Sequence, residues 1–150
     1  MEEAAFVHAT VHNTLVALWT GDPTLRQLER FWGELDGLAR RQPDGIYVLN
    51  VITATTGLPD SHARQLLRLQ FETMRGRVLA LANVLEQSGV LAALSRTVLS
   101  KVLVLSRRPF PMTIHGDVGK GAHWLSRHER APVAAKLVEV ASTLRRKAVG

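Results

Sequence analysis

The chain has 150 residues, of which 46% are hydrophobic and 21% are charged, a balance typical of one globular domain with a full-sized core. It contains no cysteine, which excludes disulfide bonds and thiolate metal sites, and it has no apolar run of the ~18 residues that a membrane-spanning helix needs. The net charge of +6 is uneven, because residues 1–75 have seven Lys and Arg against nine Asp and Glu, whereas residues 76–150 have twelve against four.

The distribution of charge restricts the partners that we expect. The basic residues of the second half stand singly or in short groups, as at Arg107 and Arg108, and aromatic residues make up only 5% of the chain. Because base stacking needs aromatic side chains interleaved with positive charges, nucleic-acid binding is disfavoured and a solvated basic face is the simpler interpretation. The acidic residues 1–3 do not resemble a basic secretory leader, so we expect a cytoplasmic protein without a transmembrane segment.

The first predicted elements are an antiparallel hairpin and an amphipathic helix. Residues 5–11 and 15–20 are short β-prone runs, and residues 12–14 between them favour a tight turn. Asp22 followed by Pro23 predicts an N-cap and the first residue of a helix. The apolar residues of this helix recur at intervals of three and four, namely Leu25, Leu28, Phe31, Trp32, Leu35 and Leu38.

The middle of the chain predicts two buried strands and two further helices. Residues 46–52 form a continuous run of apolar residues with one Asn, typical of a central strand covered on both faces. A helix is predicted at about residues 60–75, ending at Gly76, and a second apolar strand at residues 78–85. Residues 90–104 have the amphipathic spacing of another helix.

The last third of the chain predicts a weak strand and two helices. Residues 110–116 favour a weak strand that either lies at a sheet edge or has Pro111 at its start, because Pro111 cannot donate a hydrogen bond to a neighbouring strand. Asp117 is predicted to cap a short helix, and Pro132 to begin a C-terminal helix at about residues 132–147. The apolar stripe of that last helix indicates that it docks on the domain, and it comprises Val133, Leu137, Val140, Ala141 and Leu144.

The order of these elements defines the predicted fold class. It is β-β-α-β-α-β-α-β-α with an extra C-terminal helix, and strands that alternate with helices favour a mostly parallel sheet. We therefore predict a single α/β domain over residues 1–150, with an N-terminal hairpin and with the C-terminal helix as an appended, docked element.

This order resembles that of the STAS domain, the fold of the sporulation anti-sigma-factor antagonist. The likeness extends over about residues 5–130 and is carried by "YVLNV" at residues 47–51, with the loop that follows, and by "FPMTIHGDVGKGAHWL" at residues 110–125. The second stretch is similar to the strand and helix that close many bacterial SpoIIAA-like proteins. The resemblance implies a regulatory module that binds another protein in signalling, for example in an anti-sigma-type partner switch.

The resemblance draws attention to Ser61. In antagonists of this family, a loop leads to Asp-Ser-Ser-Gly at the start of a helix, and the first Ser is phosphorylated. Here Asp60 and Ser61 match that pattern, while His62 and Ala63 stand in place of Ser and Gly. A phosphate at a helix N-terminus is stabilised by free backbone amides and by the helix dipole. The alternative is that Asp60 or Ser61 only caps the helix, a role that contributes about 1 kcal/mol.

No pattern in the sequence indicates a metal, a cofactor or a catalytic centre. The six His have no Cys partners and no His-Glu-x-x-His spacing. No Gly-x-Ser-x-Gly motif occurs, and "GDVGKG" at residues 116–121 lacks the spacing of the known phosphate-binding loops. We therefore predict that the protein is not an enzyme and that it binds no metal or cofactor.

The sequence thus predicts a non-enzymatic protein-interaction module. Its contact surface is expected at the loop after the central strand and at the second helix, because parallel α/β folds bind at the carboxyl ends of their strands. The residues predicted to form this surface are Thr55, Thr56, Asp60, Ser61, His62 and Arg64. The alternative is a domain that binds a small molecule or lipid in an apolar pocket between helices and sheet. Charge and length do not decide whether the protein forms a homodimer through its outer strand or terminal helix.

Overall fold

The computed structural model of the chain describes residues 6–21, 23–53, 61–86 and 109–149, except for the side chains of residues 61–64 and 66. Its elements, numbered in chain order, are β1 (Phe6–Val11), β2 (Thr14–Trp19), α1 (Leu25–Arg41), β3 (Ile46–Ile52), α2 (Ser61–Thr73), β4 (Val78–Leu85), β5 (Met112–His115), α3 (Val118–Ser126) and α4 (Ala134–Val149). The predicted helix at residues 90–104 lies outside the described residues.

The five described strands form one mixed sheet in the order β1-β2-β3-β4-β5. β1 pairs antiparallel with β2, whereas β2 with β3, β3 with β4 and β4 with β5 are parallel pairs. The predicted N-terminal hairpin and the alternation of strands with helices are therefore confirmed for the described part of the chain.

Each face of the sheet is covered by two of the described helices. The side chains of a strand alternate between the two faces, so β2 and β3 contribute to two separate cores. The core under α1 and α2 includes Leu15, Leu35, Leu38, Ile46, Val48 and Leu81. The core under α3 and α4 includes Val16, Leu18, Leu49, Val51, Leu125 and Leu137. The prediction that residues 46–52 form a strand covered on both faces is confirmed.

The connection between α3 and α4 is held against the amino ends of β2 and β3. The Tyr47 hydroxyl donates to the backbone oxygen of Glu129 at 2.6 Å, and Asn13 Nδ2 donates to the backbone oxygen of Arg130 at 3.1 Å. Arg130 Nη1 also lies 3.2 Å from Asp44 Oδ2. Burial raises the pKa of the Tyr47 hydroxyl, which therefore stays a neutral donor near neutral pH.

The N-cap of α1 is Thr24, which corrects the prediction that Asp22 caps this helix with Pro23 in its first position. Thr24 Oγ1 accepts a hydrogen bond from the backbone nitrogen of Gln27 at 3.1 Å, and Gln27 Oε1 accepts one from the backbone nitrogen of Thr24 at 3.0 Å. This capping box satisfies two backbone donors at once. The reciprocal pair therefore begins the helix at Leu25, two residues later than predicted.

We expect Thr24→Ala to lower the free energy of unfolding by about 1 kcal/mol, because the backbone N–H of Gln27 loses its acceptor. Urea unfolding followed by far-UV circular dichroism measures the change. Asp22→Ala is the matched control, for which we expect a change within about 0.5 kcal/mol. A greater loss in Asp22→Ala than in Thr24→Ala would contradict this assignment of the cap.

α4 begins at Ala134 rather than at Pro132. Val133, which was predicted to belong to the apolar stripe, is 69% exposed because it lies before the first helical residue. The buried members of the stripe are Leu137, Ala141 and Leu144. α4 packs against β1 and β2.

Two predictions for the last third of the chain are also confirmed. β5 is an edge strand of the described sheet, and Pro111 directly precedes it. The Pro111 carbonyl still accepts a hydrogen bond from the backbone nitrogen of Leu81 at 3.0 Å. Asp117 caps α3, since its Oδ1 accepts from the backbone nitrogen of Lys120 at 2.8 Å.

Candidate functional site

The parallel strands β2, β3 and β4 end at one edge of the sheet, which we call the carboxyl edge. The residue that follows β3, Thr53, is fixed there by two hydrogen bonds to the backbone oxygen of Trp19, each 2.9 Å long, from its backbone nitrogen and its hydroxyl. The backbone nitrogen of Glu86, which follows β4, donates to the carbonyl of Ile52 at 3.0 Å. Thr53 and the end of β3 are therefore held in place at this edge.

Polar side chains cross the sheet just below this edge. Trp19 Nε1 donates to Asn50 Oδ1 at 2.6 Å, and Asn50 Nδ2 donates to Asn83 Oδ1 at 3.2 Å. Asn50 and Asn83 are direct cross-strand partners on β3 and β4. The indole N–H can only donate, so it fixes the orientation of the Asn50 amide. The result is a hydrogen-bonded row across three strands of an otherwise apolar face.

This row of side chains was not predicted from the sequence. Its signal was a single Asn inside each of two apolar runs, at Asn50 in β3 and Asn83 in β4. An amide in a buried strand needs a hydrogen-bond partner, so two such residues indicate a cross-strand contact. The signal does not include Trp19, because its contact depends on the sheet register.

An ion pair joins the C-terminal helix to the carboxyl edge. Arg145 Nη1 lies 2.7 Å from Glu86 Oε1, and Arg145 Nη2 donates to Glu86 Oε2 at 2.8 Å. The Glu86 side chain is only 21% exposed, so solvent screens this pair less than a surface pair. The two-point contact holds α4 in a fixed position relative to the end of β4.

The predicted contact residues fall in two groups. Thr55, Thr56 and Asp60 lie outside the described residues. Ser61, His62 and Arg64 lie in the first turn of α2, where only the backbone is described. Ser61 is the first residue of α2, in agreement with the predicted helix start near residue 60.

The rest of α2 has one face against the domain and one face in solvent. Phe71 packs inward, with its ring centre 5.1 Å from that of Trp32 and 5.7 Å from that of Phe110. Leu69 is 59% exposed although it lies in the middle of the helix. Its exposed neighbours on α2 are Gln65, Arg68, Glu72 and Thr73. An apolar side chain is therefore presented to solvent among polar ones.

A concave feature lies beside β5. It is an open hollow of about 580 Å³. Its lining residues are Pro109, Phe110, Pro111, Met112, Thr113 and Trp124. Next to it, His115 Nε2 lies 2.9 Å from Thr113 Oγ1, and burial lowers the pKa of His115, an effect that the nearby Asp117 partly opposes. Among the lining residues, Thr113 has the single hydroxyl.

We expect the stability of the protein to fall as the pH drops below about 6.5, in part because of His115. Its pKa is lowered in the folded state, so the unfolded chain binds the proton first and acid favours unfolding. His115 therefore does not reduce the free energy of unfolding above the ordinary pKa of His, where it is neutral in both states. Below that pKa, protonation of the unfolded chain lowers the free energy of unfolding.

Urea midpoints at about pH 7.5 and about pH 5.5 measure this dependence. We expect His115→Gln to lose less stability on acidification than the wild type, since Gln does not titrate. His123→Gln is the control, because His123 is an exposed residue of α3, the helix that packs beside His115. Identical acid dependence in the wild type and His115→Gln would refute the role of His115.

The described residues contain no group of three or more His, Asp or Glu side chains that could hold a metal ion. "GDVGKG" includes the capped start of α3, where the Asp117 carboxylate accepts a hydrogen bond from the backbone N–H of Lys120. None of the described helices combines the length and the apolar character needed to cross a membrane.

Comparisons with known proteins do not assign the chain to a family. No family model, no curated protein and no solved structure matches it. The likeness to the STAS domain therefore rests on the order of the elements and on the two sequence stretches quoted above.

Proposed function

We propose that the chain is a non-enzymatic, STAS-like interaction module that regulates a cytoplasmic protein partner. Its contact face consists of residues 53–61 and the exposed side of α2. The observation that carries this proposal is the carboxyl edge, where Thr53 is held by hydrogen bonds after the central strand and α2 begins at Ser61. Loops on a rigid sheet edge are the usual binding segments of parallel α/β folds.

The rigidity of the edge supports binding of a protein. Thr53 is held by two hydrogen bonds to Trp19, and the amides of Asn50 and Asn83 join the strands beneath it. Binding of a partner at this edge then costs less conformational entropy, because the end of the sheet is already ordered before binding.

The exposed face of α2 supports the same proposal. Leu69 is 59% exposed and stands between Arg68 and Glu72, which are also exposed. An apolar side chain surrounded by charged ones is the usual arrangement of a small interface, where the apolar group is the anchor and the charges form the rim.

Ser61 is the proposed switch of this contact face. A phosphate on its hydroxyl would add a charge of about −1.5 to −2 at the N-terminus of α2. Free backbone amides at that end stabilise the phosphate within the chain, while its charge repels an acidic or apolar partner. Phosphorylation would thus release the partner without unfolding α2.

Affinity capture of partners from the native host, with the tagged chain as bait, tests this proposal. We expect the wild type and Ser61→Ala to retrieve the same protein, and Ser61→Asp and Leu69→Ala to retrieve it about tenfold less well. Leu25→Ala is the matched control, because Leu25 is an exposed leucine (68%) on α1. If all five baits retrieve the same proteins in equal amounts, the contact face lies elsewhere.

The alternative function is binding of a small apolar ligand or lipid in the hollow beside β5. The hollow is open to solvent, and Phe110, Met112 and Trp124 in its lining are side chains of the kind that predominate in ligand sites. Native mass spectrometry of protein purified from its own host tests it. A bound small molecule that is lost in Trp124→Ala would favour this alternative, and an unliganded mass would count against it.

A further inference from the structure

In the described part of the chain, the outer edge of β1 is not paired with another strand. β1 is an end strand of the sheet, bonded to β2 on one side, and no described strand lies on the other side. It has six residues, "FVHATV", with no Pro and no Lys, Arg, Asp or Glu. Proteins usually shorten, bend or charge a free edge, because its N–H and C=O groups pair readily with other chains. The opposite end strand, β5, has only four residues and follows Pro111.

Two charges of opposite sign lie beside β1 on α1. The Arg30 guanidinium carbon is 5.5 Å from the centre of the Phe6 ring, and Glu34 Oε1 is 3.8 Å from His8 Nε2. Arg30 is exposed, and 43% of the Glu34 side chain is exposed. Along the strand, a positive charge near Phe6 is therefore followed by a negative charge near His8.

We propose that β1 pairs antiparallel with β1 of a second copy of this chain, about a twofold axis at Val7. Residues that face each other in an antiparallel pair share one side of the sheet, so the axis must pass through a residue. An axis at Val7 sets Phe6 opposite the partner's His8 and brings Arg30 next to the partner's Glu34. An axis at His8 would instead bring the two copies of Glu34 together, so the charges select the first register.

The resulting contact is isologous, and each charge pair occurs twice. It uses β1 and α1, not residues 53–61 or α2, and is therefore independent of the proposed contact face for the regulatory partner. The two sheets become one continuous sheet of ten described strands, with five from each copy. Because the strand is short, we expect a reversible dimer with a dissociation constant of about 1 to 100 µM.

Sedimentation velocity over a concentration series tests this dimer with charge-reversed variants. We expect Arg30→Glu and Glu34→Arg each to weaken the dimer about tenfold, because each replaces two attractive contacts by two repulsive ones. The double variant Arg30→Glu/Glu34→Arg restores opposite charges across the axis, so its dimer should approach wild-type strength. Glu29→Arg raises the net charge by the same amount as Glu34→Arg, on another face of α1, and should leave the dimer unchanged.

Three results would overturn the proposal. The first is a wild type that stays monomeric up to about 1 mM. The second is a double variant whose dimer is no tighter than the dimers of the single variants. The third is a Glu29→Arg variant whose dimer is weakened as much as that of Glu34→Arg. Thermal unfolding of every variant shows that the domain remains folded. Hydrogen exchange gives a second measurement, because the amides of Phe6 and His8 should become protected only at concentrations where the dimer forms.

Discussion

Gly45→Ala should lower the free energy of unfolding by about 3 kcal/mol, one of the two largest effects that we expect from a single added methyl group. Gly45 has φ of +111°, a conformation that residues with a side chain rarely adopt. A Cβ atom at this position would also lie 2.5 Å from Leu79 Cγ and 2.7 Å from both of its Cδ atoms. Chemical denaturation with a fitted m-value measures the loss.

Two control variants separate the strain of the backbone from the contact with Leu79. Gly76 has φ of +79°, and a Cβ atom added there would have no other atom within 4 Å, so Gly76→Ala should lose only about 1 kcal/mol. In Gly45→Ala/Leu79→Ala the contact is removed, and we expect part of the stability to return relative to Gly45→Ala alone. If Gly45→Ala loses no more free energy of unfolding than Gly76→Ala, the prediction is wrong, because the Leu79 side chain then moves away without cost.

Gly121→Ala should lower the free energy of unfolding by about 2 kcal/mol, although alanine favours a helix more than glycine does. Gly121 lies in α3, where a Cβ atom would be 2.7 Å from Val84 Cγ2 and 3.3 Å from Leu49 Cδ1. Both of these side chains are completely buried and have little room to move. The absence of a side chain is what allows α3 to approach the sheet closely.

Gly33→Ala is the matched helix control. Nothing lies within 4 Å of the corresponding Cβ position on α1, so we expect this variant to gain about 0.5 to 1 kcal/mol. In a double-mutant cycle of Gly121→Ala with Val84→Ala, we expect the double variant to lose less stability than the sum of the two single losses. The smaller side chain at position 84 makes room for the added methyl group. Stabilisation in Gly121→Ala equal to that in Gly33→Ala would contradict the close packing of α3.

The sequence predicted the elements that depend on local patterns. The run at residues 46–52, the start of α2 near Ser61 and the cap at Asp117 could all be assigned because each depends on neighbouring residues. The start of α1 was misplaced for a local reason. Asp22 and Thr24 are both good caps, and only the reciprocal contact with Gln27 decides between them.

Contacts between distant parts of the chain could not be predicted. The row from Trp19 through Asn50 to Asn83 requires the register of three strands, which periodicity alone does not give. The exposure of Leu69 likewise depends on how α2 is turned against the sheet. Near the proposed contact face, the sequence therefore indicated where β3 ends and where α2 begins, but not the side chains that join the strands there.

The contacts between the first and last described segments also affect how the chain reaches its native state. Asn13 bonds to the carbonyl of Arg130, 117 positions away, and α4 covers the face of β2 that includes Val16 and Leu18. During synthesis on the ribosome, the hairpin would emerge long before the helix that covers it. Its apolar face must then stay uncovered, or be protected by a chaperone, until α4 is made, and this late closure favours slow folding.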